Sequence, residues 1–205
     1  MANLRTVRLP YHSPADIPLA SFPRLRHLEI SFMQSFADLD KLLEGIPELR
    51  SFALVRMVTK TGQLPDRTLK STFVDALFSA LSRARAPLLT TFALQHSTEY
   101  RCTLSSSQCA QLSVFLQRCT HLRRLFCDFP IKPKALPRYL TTLSELKALD
   151  VLNLNMRMQH IDIWLVTQLH ACLPRGMHAL SLSTNARDGH PSPFPALVSM
   201  NLLRV

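Results

Sequence analysis

The stretch FPRLRHLEI, residues 22–30, decides how this chain reads. Leu25, Leu28 and Ile30 follow the spacing L-x-x-L-x-L. The same spacing fits Leu4, Val7, Leu9; Leu49, Phe52, Leu54; Leu89, Phe92, Leu94; and Leu122, Leu125, Cys127. It continues with Leu149, Leu152, Leu154; Met177, Leu180, Leu182; and Leu197, Met200, Leu202. That makes eight units, whose first positions lie 21, 24, 40, 33, 27, 28 and 20 residues apart. The closing L-x-L of each unit alternates as a short strand must, one side chain in and the next out. The first leucine turns into the same core just before the strand.

Helical spacing lies between the units. Leu39, Leu42, Leu43 and Ile46 recur at i, i+3, i+4, i+7. Ser35 with Asp38 resembles an N-terminal capping pair, Asp standing for the usual Glu or Gln. Further stripes are Leu69, Phe73, Leu77, Leu81; Cys109, Leu112, Phe115, Leu116, Cys119; Leu136, Leu140, Leu143; and Ile161, Leu165, Leu169, Leu173. Strand followed by helix, repeated, implies parallel strands joined by crossovers. No such unit buries its apolar face alone, so the units stack. The expected fold is a curved α/β solenoid with a parallel sheet on the concave face and helices on the convex face. Residues 1–205 read as one domain with polar insertions near 58–68 and 95–108. The first unit starts at Leu4 and the eighth ends near Val205, so the reading expects one or both end caps to be missing.

The composition agrees with a packed repeat domain. Of 205 residues, 47% are hydrophobic and 19% charged, which excludes a disordered chain. Only 4 glycines are present, which disfavours glycine-dependent nucleotide folds. No apolar run reaches the ~18 residues that cross a bilayer, so no membrane partner is expected. The N-terminus lacks a signal-peptide core, and the five cysteines are odd in number and sit at apolar slots. Both point to a reducing, intracellular setting, cytoplasmic or nuclear. The net charge of +10 favours acidic partners.

The pattern resembles the leucine-rich repeat family along the whole chain. The uneven intervals and the phrases FPRLRHLEI and CTHLRRLFC look most like the irregular repeats of fungal and plant F-box proteins. There the repeats form the substrate-recognition half of a ubiquitin ligase subunit. The resemblance therefore implies a non-enzymatic protein-interaction domain with a protein partner. The family's Asn or Cys, three places after the last leucine, appears only as Asn185. The helical F-box is absent from the sequence, so a ligase adaptor is expected only if an F-box exists outside this chain.

Signatures of chemistry are missing: no G-x-S-x-G, no Gly-rich phosphate loop, no H-E-x-x-H and no C-x-x-C occurs. The chain is expected to be no enzyme, with no cofactor and no metal site. Cys119, His121 and Cys127 are close in sequence but read as core packing and turn, because Cys127 fills a leucine slot. His160, Trp164 and His170 read as an ordinary helix face.

In the repeat architecture the concave face binds, through the third, fifth and seventh positions of each unit. The candidates are Arg8, His27, Glu29, Arg124, Phe126, Asp128, Asn153 and Asn155, with Arg8, Arg124 and Phe126 as anchors. A basic column runs through the second positions, Arg5, Arg26, Arg50 and Arg123. A denser basic segment adds Arg118, Lys132, Lys134 and Arg138, with FPIKPKALPR expected as an exposed loop. These residues define the alternative reading, a basic scaffold for nucleic acid or another polyanion. Stacking partners for bases are few there: Phe126, Phe129 and Tyr139. A protein partner ranks above nucleic acid.

Overall fold

The computed structural model describes residues 4–9, 22–31, 36, 38–55, 69–95, 103–156 and 163–184. They form an α/β fold with a seven-stranded sheet whose strand order follows the chain. The strands are β1 (Thr6–Leu9), β2 (His27–Ser31), β3 (Ser51–Val55), β4 (Thr91–Leu94), β5 (Arg124–Ile131), β6 (Val151–Met156) and β7 (Ala179–Thr184). Every neighbouring pair is parallel. The helices are α1 (Leu39–Glu44), α2 (Leu69–Arg83), α3 (Ser106–Arg118), α4 (Leu136–Glu145) and α5 (Ile163–Cys172). Each helix packs on the next, so all of them line one face of the sheet.

The unit spacing explains the strands. Each strand begins at the third position of its unit, two residues after the leading leucine or methionine. Leu28, Phe52, Phe92, Leu125 and Leu152 partner one another across the sheet and are all buried. Ile30, Leu54, Leu94, Cys127 and Leu154 form the next buried row. The leading residues Leu25, Leu49, Leu89, Leu122, Leu149 and Met177 form a third. Leu4 departs from the expectation: it is 38% exposed, and among the described residues β1 has a strand neighbour on one side only.

The opening phrase acquires a local cause. The Leu25 N–H donates to Phe22 O at 3.1 Å, closing a four-residue turn with Pro23 second. The same turn recurs as Leu49 to Ile46, Leu89 to Ala86, Leu122 to Cys119, Leu149 to Leu146 and Met177 to Pro174. Pro23, Pro47 and Pro87 hold the second place in their turns, where a fixed φ near −65° is favourable. After the turn, the second-position carbonyl of each unit accepts two N–H groups from the next unit. Arg5 O accepts from Arg26 and His27, Arg26 O from Arg50 and Ser51, and Arg50 O from Thr90 and Thr91. Thr90, Arg123 and Asp150 continue the series, at 2.7–3.2 Å throughout. This ladder fixes the register before the strands proper begin.

Three expectations are corrected. Asp38 is not the third helical residue of a capping pair; it precedes α1 in a left-handed conformation (φ 65°) and bonds Lys41 at 2.6 Å instead. The exposed loop expected from FPIKPKALPR is largely absent. Phe129, Pro130 and Ile131 extend β5 and are buried, and Leu136 and Pro137 open α4. Pro130 lacks an N–H, but the ladder is irregular between Cys127 and Ile131, where proline is tolerated. Its carbonyl accepts from Leu104 N–H at 2.8 Å, so a distant segment supports the strand. Lastly, Ser106–Gln108, within the 95–108 insertion, begin α3, and Ser105 caps the helix by a reciprocal bond pair with Gln108. The 58–68 insertion, the eighth unit at 197–202, Asn185, Ser35 and His160 lie outside the described residues.

Tyr139 is fully buried on α4, and its hydroxyl has no hydrogen-bond partner among the described residues. Burial raises its pKa well above the usual 10.0. A buried hydroxyl without a partner costs about 1–3 kcal/mol. Tyr139→Phe is therefore expected to stabilise the fold by about 1 kcal/mol, seen as a higher urea midpoint at unchanged slope; a lower midpoint would show that the hydroxyl is satisfied.

Candidate functional site

The sheet face opposite the helices is the open one. Alternation sends the residues of the expected binding columns there, and the register sets them side by side. Thr6, His27, Ser51, Thr91, Arg124, Val151 and Ala179 align as one row. Arg8, Glu29, Ala53, Ala93, Phe126, Asn153 and Ser181 align as the next. The third row is broken. Ser31 pairs Val55 and Asn155 pairs Ser183, but the irregularity after Cys127 takes Asp128 out of register.

The face changes character along its length. Over β1–β3 it is a polar depression lined by Thr6, Arg8, His27, Glu29, Ser51 and Ala53. Within it Arg8 Nε meets Glu29 Oε2 at 3.3 Å, so those two charges largely cancel. Over β3 and β4 the floor is Ala53 and Ala93, and Ala93 is nearly covered. Phe126 stands beside Ala93 on β5, half-buried, with Asn153 beyond it. Parallel strands lie about 4.8 Å apart, so Glu29 and Phe126 bracket a trough of roughly 14 Å floored by the two alanines. Arg124 is exposed two residues before Phe126, and Asp128 is half-buried two residues after it. Burial raises the Asp128 carboxyl pKa, and no described residue forms an ion pair with it. Asn155 Nδ2 donates to Asp128 O at 2.9 Å, while its own buried Oδ1 has no partner among the described residues.

The basic candidates do not form one surface. A strand starts where the preceding helix ends, so Arg5, Arg26, Arg50, Arg118 and Arg123 lie at the strand-start end of the fold. Lys132, Lys134 and Arg138 follow β5 and lie at the opposite end. Several are already engaged. Arg26 meets Glu48 at 3.3 Å, and Arg123 meets Asp150 at 3.0 Å. Asp150 also contacts His178 in the next unit; that contact, followed by Arg123, lowers its pKa below the usual 3.8. Arg118 donates to Ser82 O at 2.7 Å and to Ala84 O, satisfying the carbonyl end of α2. Phe129 and Tyr139 are buried, so neither offers a ring to a base. Sequence reading missed that Asp150 and His178 belong to the same second-position column as the arginines. It also missed Arg85, which the end of α2 delivers to this rim.

The thiols are core groups. Cys109, Cys119 and Cys127 are buried and unpaired, and Cys172 is half-buried. Burial pushes the Cys109 thiol up to about 11 and the Cys119 and Cys127 thiols up to about 12. His121 is exposed, away from those sulfurs. Among the described residues, no group of three or more His, Cys, Asp or Glu side chains is placed to hold a metal ion. No helix among them is long and apolar enough to cross a membrane. No protein-family model matches the sequence, and no curated protein is significantly similar to it.

Proposed function

We propose that this chain is a leucine-rich repeat solenoid acting as a non-enzymatic protein-interaction domain, similar to the substrate-recognition repeats of F-box ligase subunits. The observation that carries the reading is the open sheet face, with its alanine-floored trough between Glu29 and Phe126. A partner side chain laid on Ala53 and Ala93 contacts the Phe126 ring, while Arg124 and Asp128 offer opposite charges on either side. Aromatic and arginine anchors around a desolvated centre are what protein hot spots require. The split and partly neutralised basic groups give a polyanion no continuous track.

A photo-crosslinker tests this. Benzophenone placed at Asn153, on the open face, is expected to yield discrete protein adducts in a cell extract. The same group at Val114, exposed on α3, is not. Phe126→Ala is expected to lower the Asn153 adduct yield about tenfold. Equal yields from both positions would refute the assignment, and adducts abolished by nuclease would move it to nucleic acid.

A further inference from the structure

The strand-start end carries a second surface, separate from the open face. Residues 84–90 lead from α2 into β4 there. Ala84, Ala86 and Leu89 turn into the core, whereas Leu88 is 42% exposed. An apolar side chain so placed leaves much of its surface to solvent. Next to it, Arg85, Ala86, Pro87 and Arg118 line a shallow, largely apolar depression. Arg118 is held at its edge by the bonds to Ser82 O and Ala84 O, which leave guanidinium N–H groups over. Arg85 is exposed and has no hydrogen-bond or ion-pair partner among the described residues. Arg50 adjoins the same segment, because Thr90 donates to Arg50 O through both its N–H, at 2.7 Å, and its hydroxyl, at 2.9 Å.

We propose that this depression docks an acidic segment of a partner protein. One apolar side chain of that segment sits against Ala86, Pro87 and Leu88, and its carboxylates meet Arg85, Arg118 and Arg50. Three observations select this occupant. The guanidinium groups of Arg85 and Arg118 line the depression beside its apolar floor, and such groups pair with planar carboxylates in a two-point fork. The lining is aliphatic, whereas single-stranded nucleic acid is held by aromatic platforms. Glu48 and Asp150 already hold Arg26 and Arg123 on the same rim, which leaves separate cationic groups suited to spaced carboxylates rather than a continuous track for phosphates. Helix-end charge compensation accounts for Arg118, which lies at the end of α3, but not for Arg50 or Arg85.

The test uses the whole chain and a short fluorescein-labelled peptide of glutamates around one central leucine, followed by fluorescence anisotropy. The comparison probes are an all-glutamate peptide of equal length and a single-stranded oligonucleotide of equal charge. The leucine peptide is expected to bind about tenfold tighter than the all-glutamate one. Arg85→Glu and Leu88→Asp are each expected to weaken it about tenfold. Lys134→Glu makes the same charge change at the opposite end and is expected to leave binding within about twofold. Ala53→Arg, on the open face, is also expected to leave it unchanged, which separates this site from the face assigned above. Arg85 and Leu88 are exposed, and Arg85→Ala serves if a reversed charge disturbs folding. Equal losses from Arg85→Glu and Lys134→Glu would reduce the site to diffuse attraction and overturn the proposal. Tighter binding of the oligonucleotide, no advantage from the leucine, or no binding of either peptide would overturn it too.

Discussion

Between pH 9 and pH 11 this protein is expected to lose several kcal/mol of stability, on the order of 5. The cause is its buried thiols. Below the ordinary thiol pKa of 9.0, Cys109, Cys119 and Cys127 are protonated whether the chain is folded or not, so their full contribution is present. Above 9.0 the unfolded chain releases these protons. The folded chain keeps them, because burial holds Cys109 to about 11 and the other two to about 12. The unfolded state then binds fewer protons, and stability falls as pH rises until the folded pKa values are passed. Each thiol costs about 1.4 kcal/mol per pH unit in that window. Cys119 and Cys127 alone remove about 5 kcal/mol by pH 11, comparable with the ~5–15 kcal/mol that holds a typical domain together. Cys109 and Tyr139 act in the same direction. Urea titrations at successive pH values measure the slope directly. In a Cys119→Ala/Cys127→Ala variant the slope should be shallower by about 2.7 kcal/mol per pH unit. A slope unchanged by the double substitution would show that these thiols are not what alkali attacks.

Phe92→Ala is expected to cost about 3–5 kcal/mol. Phe92 lies on β4, the middle strand, and is fully buried. It is the register partner of Phe52, whose ring stacks on it with centroids 6.1 Å apart. On its other side Phe115 of α3 approaches edge-on at 5.0 Å. Removing the ring leaves a void between sheet and helix layer and breaks two aromatic contacts, each worth about 0.5–1.5 kcal/mol beyond burial. Leu88→Ala is the matched control: its side chain is exposed, and the change should stay within about 0.5 kcal/mol. A loss below about 1.5 kcal/mol for Phe92→Ala would mean that the strand and helix layers are not joined through this ring.

Particular residues mark how far the sequence could be read. The L-x-x-L-x-L spacing gave the start of every described strand and the two sheet-face rows, because period-2 alternation and turn chemistry are local. Pro23, Pro47 and Pro87 announced turns for the same reason. Pro130 misled, since its place in β5 depends on Leu104, far along the chain. Asp128 could be assigned to a face but not to a register, because the irregularity after Cys127 is set by packing. The basic segment 118–138 looked like one patch because proximity in sequence hides a reversal in space. Arg118 ends a helix at one rim, and Lys132 leaves a strand at the other. The Arg123, Asp150 and His178 cluster was within reach: reading the second-position column for all residue types, not for arginine alone, lines the three up.

The ladder of doubly accepting carbonyls has a consequence for how this chain tolerates change. The links from helix to strand, 45–50, 84–90, 119–123, 146–150 and 173–178, are nearly equal in length, because each must close the turn and hand two N–H groups to the unit before. Among the described residues the links from strand to helix show no such repeated ladder, and they range in length from 132–135 to 56–68. One rim is therefore a template copied from unit to unit, and the other varies in length from unit to unit. Sequence inserted there, away from contacts such as Leu104 N–H to Pro130 O, leaves the ladder that sets the register intact. A single residue inserted in the template rim shifts the chain before its strand begins, and turns that strand's buried row toward solvent.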